Sequence, residues 1–203
     1  MSGFAVVTLG VLGVLAWGIF QMAKLPAADR LAAATTQSPS AVSDPATGLS
    51  YELLASPWHD GCPMRNNPVN WTSGEGAADG KVTAGGHAIS WYANACVGLL
   101  PSSLQNKNLA KEAANAAAAI DTDKALHHTR STMTSTATKV GGQPAWEIKL
   151  QVRYPGEHLR WTTEMAAVVV VDRYGGQAPA VFYASVPGNL GAASLGTLLS
   201  SLR

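Results

Sequence analysis

The sequence predicts an α+β fold: an antiparallel β-sheet flanked by helices, preceded by one apolar helix. Three observations carry this. Residues 3 to 20, "GFAVVTLGVLGVLAWGIF", hold no charged side chain. The segment "AWEIKLQVRY" alternates strictly, with Trp146, Ile148, Leu150, Val152 and Tyr154 against Glu147, Lys149, Gln151 and Arg153, the period of a half-buried strand. Beyond residue 48 the elements come in the order strands, helix, a run of strands, helix, which suits helices packed on an antiparallel sheet.

The first element is the apolar one. As a helix, residues 3 to 20 span about 27 Å at ~1.5 Å per residue, close to the hydrocarbon thickness of a bilayer. A helix buried in a soluble core would carry a polar stripe, and this one has none. Trp17 sits near one end, where an interfacial anchor belongs. Residues 1 to 24 are therefore expected to form a transmembrane anchor. The amino-terminal residues supply no basic side chain, so an uncleaved signal-anchor is favoured over a cleaved signal peptide. Lys24 and Arg30 argue for keeping the following domain in the cytoplasm. The Ala/Ser/Thr/Pro-rich segment within 25 to 47 and the two cysteines argue for the outside, as a surface stalk and an oxidised pair would. The expectation is a single-pass cell-membrane protein with an extracytoplasmic domain at 48 to 203.

Within that domain "GLSYELL" (48 to 54) reads as a short strand stopped by Pro57, "VNWTSGEGA" (69 to 77) as a weaker one, and "HAISWYANACVGLL" (87 to 100) as a stronger one. "SSLQNKNLAKEAANAAAAI" (102 to 120) reads as a helix capped by Ser102 or Ser103. Its small apolar face would lie close to a sheet. "HTRSTMTSTATKV" (128 to 140) runs into Gly141-Gly142, a hairpin signal, and the alternating strand returns from it. "LRWTTEMAAVVVVDR" (159 to 173) begins by alternating and ends as a continuous apolar run, as a strand covered on both faces does. "PAVFYASVP" (179 to 187) is the last strand. "NLGAASLGTLLSSLR" (189 to 203) is a closing helix with a leucine stripe.

"GLSYELLASPW" resembles the opening of the PsbP-like fold, and "VGGQPAWEIKLQV", "AVVVVDR", "PAVFYASVP" and the terminal "LLSSLR" resemble its later part. Actinobacterial membrane-anchored surface proteins similar to the mycobacterial LpqN-type lipoproteins share this arrangement. The resemblance covers roughly residues 48 to 203. It implies an α/β/α sandwich and a non-catalytic binding or assembly role. Two features depart from the pattern. No cysteine follows the apolar segment before Cys62, so lipidation is not implied, and "WYANACVGLLP" lies outside the general pattern.

Composition narrows the function classes. Lys and Arg number 14 against 13 Asp and Glu, and no basic patch stands out, so nucleic acid is not an expected partner. No phosphate-binding Gly-rich loop, nucleophile elbow or zincin helix occurs. His127 and His128 are adjacent, which on a strand divides them between two faces, and no metal or cofactor is expected. Thr132, Thr134, Thr136 and Thr138 read as a solvated β-face. Cys62 and Cys96 read as a structural disulfide that staples the turn "SPWHDGCP" to the strand "WYANAC". The alternatives are two free thiols, or a catalytic thiol with His59 as base and Asp60 orienting it. Trp58, His59, Trp71, Trp91 and Tyr92 are the candidate ligand-facing aromatics, set against a plain core role for the tryptophans. The expected partners are the membrane, through residues 3 to 20, and an envelope protein, peptide or glycan.

Overall fold

The computed structural model describes residues 41–64, 67–84, 87–120, 126–155 and 161–203. The expected membrane segment at 3–20 and most of the expected linker lie outside the described residues. Among the described residues no helix is long and apolar enough to cross a membrane. In chain order the elements are β1 (Ala41–Ser43), β2 (Ser50–Glu52), β3 (His59–Asp60), β4 (Asn70–Ala84), β5 (His87–Leu99), α1 (Leu109–Ala119), β6 (Thr129–Val140), β7 (Gln143–Arg153), β8 (Thr163–Val171), β9 (Ala180–Pro187), a 3₁₀ turn (Gly188–Leu190) and α2 (Ala192–Ser201).

Strands β3 to β9 form one antiparallel sheet in the order β3-β4-β5-β9-β8-β7-β6, and β1 pairs with β2 as a separate ribbon. The centre is β9 and β8. On β8, Ala167, Val169 and Val171 pack with Leu195, Leu198 and Leu202 at the carboxy-terminal helix. The alternate residues Ala166, Val168 and Val170 pack with Ala113, Ala116 and Ala117 of α1. Helices therefore cover both faces, which is why β8 carries a continuous valine run rather than an alternation. The alanines of α1 let its backbone come close to the sheet. The β6–β7 hairpin turns on Gly141 and Gly142, both with positive φ (56° and 82°), the geometry that matches strand twist in a two-residue loop.

Four boundaries differ from the sequence expectation. The helix expected from residue 102 begins at Leu109, because the Asn108 side chain accepts the Lys111 N–H at 3.1 Å and caps it there; Ser102 and Ser103 lie in the preceding turn. The strand expected over 69 to 77 runs on to Ala84, and the one expected from 159 begins at Thr163. Residues 41 to 47, expected as linker, are folded: the buried Asp44 carboxylate accepts from the Thr47 N–H at 2.7 Å and the Thr47 hydroxyl at 2.9 Å, closing the turn from β1 to β2. At the far end of the chain, Arg203 and Ser50 exchange two backbone hydrogen bonds, of 2.7 and 2.9 Å.

The threonine row on β6 is broken. The pairing shifts between Thr132 and Thr134, so Thr132 lies opposite Leu150 while Thr134, Thr136 and Thr138 lie opposite Lys149, Glu147 and Ala145. A β-bulge at Met133 thus moves Thr132 to the other face, with Met133 itself 56% exposed.

Candidate functional site

The turn "SPWHDGCP" crosses the edge of the sheet. Trp58 donates its backbone N–H to Ala55 O at 3.3 Å and its side chain is buried in the core beside Ala77 and Ala93. His59 and Asp60 form β3, opposite Gly76 and Glu75, with both side chains exposed. The Gly61 N–H then donates to Gly74 O at 2.8 Å, and Cys62 bonds to Cys96 with a Cα–Cα separation of 5.3 Å. The turn is stapled, as expected, to β5, three residues before the end of that strand. In this oxidised form the catalytic-thiol alternative has no thiolate with which to act.

The staple needs glycines beneath it. A Cβ on Gly74 would lie 2.5 Å from Ala95 O, 2.9 Å from Cys96 Cα and 3.0 Å from Cys62 Cβ. One on Gly76 would lie 2.8 Å from Pro63 Cγ. The Cys62 and Pro63 side chains therefore rest directly on β4, and "SGEGAA" is a strand whose small residues make room for a covering segment. Gly74→Ala is expected to lower stability by about 1–3 kcal/mol through overpacking against backbone, seen as a drop in the urea midpoint; an unchanged midpoint would contradict the contact.

Between those glycines lies Glu75, which sequence reasoning passed over. It is fully buried, and its carboxylate accepts from the Leu54 N–H at 3.3 and 3.4 Å. Burial pushes its pKa up from 4.5 to about 7; the Leu54 hydrogen bond opposes that and the charge of Asp60 adds to it. The nearby Tyr51 hydroxyl donates to Ala95 O at 3.0 Å, and burial with the Glu75 charge raises its pKa too. A lone acid flanked by glycines in a strand-like segment was the available signal.

The five candidate aromatics are not gathered into one groove. Trp58 belongs to the core under α2. Trp71 is half-buried on the opposite side, 6.3 Å from the Tyr183 ring. Trp91 is buried in a separate cluster, edge-on to Tyr154 at 5.3 Å and 5.6 Å from Trp161. In that cluster the Tyr154 hydroxyl donates to the buried Glu164 at 2.9 Å. His59 is exposed at the sheet edge and Tyr92 is 40% exposed on β5. Residues close in sequence end in three places because strand alternation and the turn at 55–63 send them to different layers.

A cleft of about 480 Å³ lies elsewhere, between the segment before α1 and the β8–β9 connection. Gln105, Asn106, Lys107, Glu112, Asp172 and Gln177 supply its polar lining. Glu112 is nearly buried and accepts the Asn106 N–H at 2.7 Å. Burial raises its pKa, with the charge of Asp172 adding to the effect. With one cation and two carboxylates among its polar groups, the lining offers charged and polar recognition. None of the sequence-selected residues lines it. Among the described residues no group of three or more His, Cys, Asp or Glu could hold a metal ion.

The fold and this surface define a disulfide-stapled α/β/α domain with an antiparallel seven-stranded sheet. No protein-family model matches the chain, and no curated protein matches it. Among solved structures it is similar to the solution structure of cyanobacterial PsbP (CyanoP) from Synechocystis sp. PCC 6803, at 14% identity and a TM-score of 0.47, over 83% of this chain and 95% of that one.

Proposed function

We propose that this chain is a non-catalytic binding or assembly domain of the cell envelope, tethered by residues 3 to 20 and displayed on the oxidising side of a cell membrane. The observation that carries the reading is the Cys62–Cys96 bridge. Structural disulfides persist in oxidising compartments and are rare where thiols are kept reduced. Here the bridge fastens a covering segment to a strand packed too closely to accept a side chain at Gly74. The apolar, uncharged segment at 3 to 20 supports the tether, and the sequence likeness to LpqN-type surface proteins implies the same setting. The polar lining of the cleft around Glu112 supports recognition of a polar envelope partner, a peptide or a glycan.

The test is thiol counting on protein recovered from its native membrane, alkylated under denaturing conditions with and without prior reduction and weighed. Protease treatment of intact and of permeabilised cells runs alongside it. The expected result is no alkylation without reduction, a linked peptide pair containing Cys62 and Cys96, and cleavage of the domain in intact cells. Two freely alkylated thiols, with the domain protected until permeabilisation, would place it in the cytoplasm and sink the proposal.

A further inference from the structure

Strand β6 ends the seven-stranded sheet, and every residue from 131 to 139 is exposed. Among the described residues no strand pairs with its outer side, and an edge of this length presents backbone groups that template pairing with another strand. Its chemistry after the bulge is inviting: "TSTATKV", with three β-branched threonines, no proline, and one charge, at Lys139. Edges that must stay unpaired carry prolines, bulges or charges, lysines above all; here the bulge at Met133 stops short of this segment, and Lys139 is its single charge, at one end.

The hairpin fixes which groups face outward. Val140 pairs with Gln143 across the two-residue loop, and the closing pair of such a hairpin exchanges both backbone bonds. Hydrogen-bonded pairs then recur at every second residue, so Thr138, Thr136 and Thr134 point their N–H and C=O groups at β7. The N–H and C=O groups of Ser135, Ala137 and Lys139 point to the free edge.

We propose that a second copy of this chain occupies this edge, the two β6 strands pairing antiparallel about a two-fold axis at Ala137. The register follows from the strand. Centred on Ala137, Ser135 faces Lys139 of the other copy and Ala137 faces itself, so all six outward groups find partners within 134–140. Centred on Ser135, the pairing crosses the bulge at Met133; centred on Lys139, it runs into Gly141. The Ala137 register sets Thr136 opposite Thr138 on both sides of the axis, a favourable cross-strand pair, and places each Lys139 opposite an uncharged serine. This self-complementarity is what favours a second copy over an unrelated strand.

The test uses the full chain in detergent, by sedimentation over a concentration series, and in its native membrane by cross-linking. The wild type is expected to associate to a dimer. Ala137→Pro removes an outward N–H without touching a β6–β7 bond and is expected to leave a monomer. Ala137→Lys, which keeps backbone freedom at an exposed site, sets like charges face to face and is expected to weaken the dimer about two- to fivefold. Ala137→Cys is expected to give a self-cross-link with a short bismaleimide, because hydrogen-bonded partners stand about 5.5 Å apart at Cα; Tyr174→Cys, 67% exposed on the β8–β9 connection, is expected to give none. A wild type that stays monomeric across the series overturns the proposal, as does a dimer that both Ala137→Pro and Ala137→Lys leave intact. A cross-link from residue 137 to a different protein, with no self-cross-link, also overturns it and gives the edge to another chain.

Discussion

Loss of the Cys62–Cys96 bridge, by reduction or by the double change Cys62→Ser with Cys96→Ala, is expected to destabilise the domain by about 3–4 kcal/mol. The bridge joins residues separated by 34 positions, and opening it returns the loop-closure entropy to the unfolded chain. The folded state loses as well. Cys96 is fully buried, so its sulfur leaves a gap, and the segment 55–63 is then held by the buried Trp58 side chain, the two-residue pairing of β3 with β4 and the Gly61–Gly74 hydrogen bond. Urea midpoints with and without reductant measure the effect. A shift worth less than about 1 kcal/mol would mean that the covering segment holds itself in place. Adding Gly74→Ala to the double variant is not expected to be rescued, since its closest clash is with Ala95 O rather than with Cys62.

Glu75→Gln is expected to change how stability depends on pH. The carboxyl has a pKa of about 7 in the fold against an ordinary 4.5. Below the ordinary value both states hold the proton and the acid costs nothing. Between the two values the unfolded chain releases it while the folded chain keeps it, so stability falls as pH rises; above about 7 the loss is complete. The shift corresponds to about 3 kcal/mol. Glutamine keeps an acceptor for the Leu54 N–H and carries no proton to lose. The variant should match the wild type near pH 4 and exceed it by about 3 kcal/mol near pH 8. Urea midpoints at pH 4, 6 and 8 check this, and parallel curves for the two proteins would refute it. The two predictions are coupled: opening the bridge frees β3 to lift from Glu75, so reduction should also flatten the pH dependence.

The middle of the fold was legible because its residues see uniform surroundings. Each residue of "AVVVV" meets a helix face whichever way it points, and "AWEIKLQVR" meets core on one side and water on the other. The edges were not legible. Strand β4 reads only as a short, weak strand because its glycines answer to β5 and to a covering segment that arrive from outside it, a demand that local propensity does not encode. The helix start was misplaced because two serines and an asparagine can all cap, and the choice depends on where the chain must meet the sheet. The staple between Cys62 and Cys96 was legible because the sequence holds just these two cysteines to pair. The aromatic groove was not realised, because Trp58, Trp71 and Trp91 fill three separate packing sites. Glu75 left one faint trace, its flanking glycines, while the cleft around Glu112 was hidden, since it becomes unusual only once burial is known.

The exchange of hydrogen bonds between Ser50 and Arg203 sets Arg203 beside β2, one strand spacing away, with β1 paired to the same short strand. A pull between residue 41 and Arg203 therefore loads this small ribbon before the seven-stranded sheet. In the proposed tethered setting, tension meets this local fastening ahead of the strands that carry the cleft.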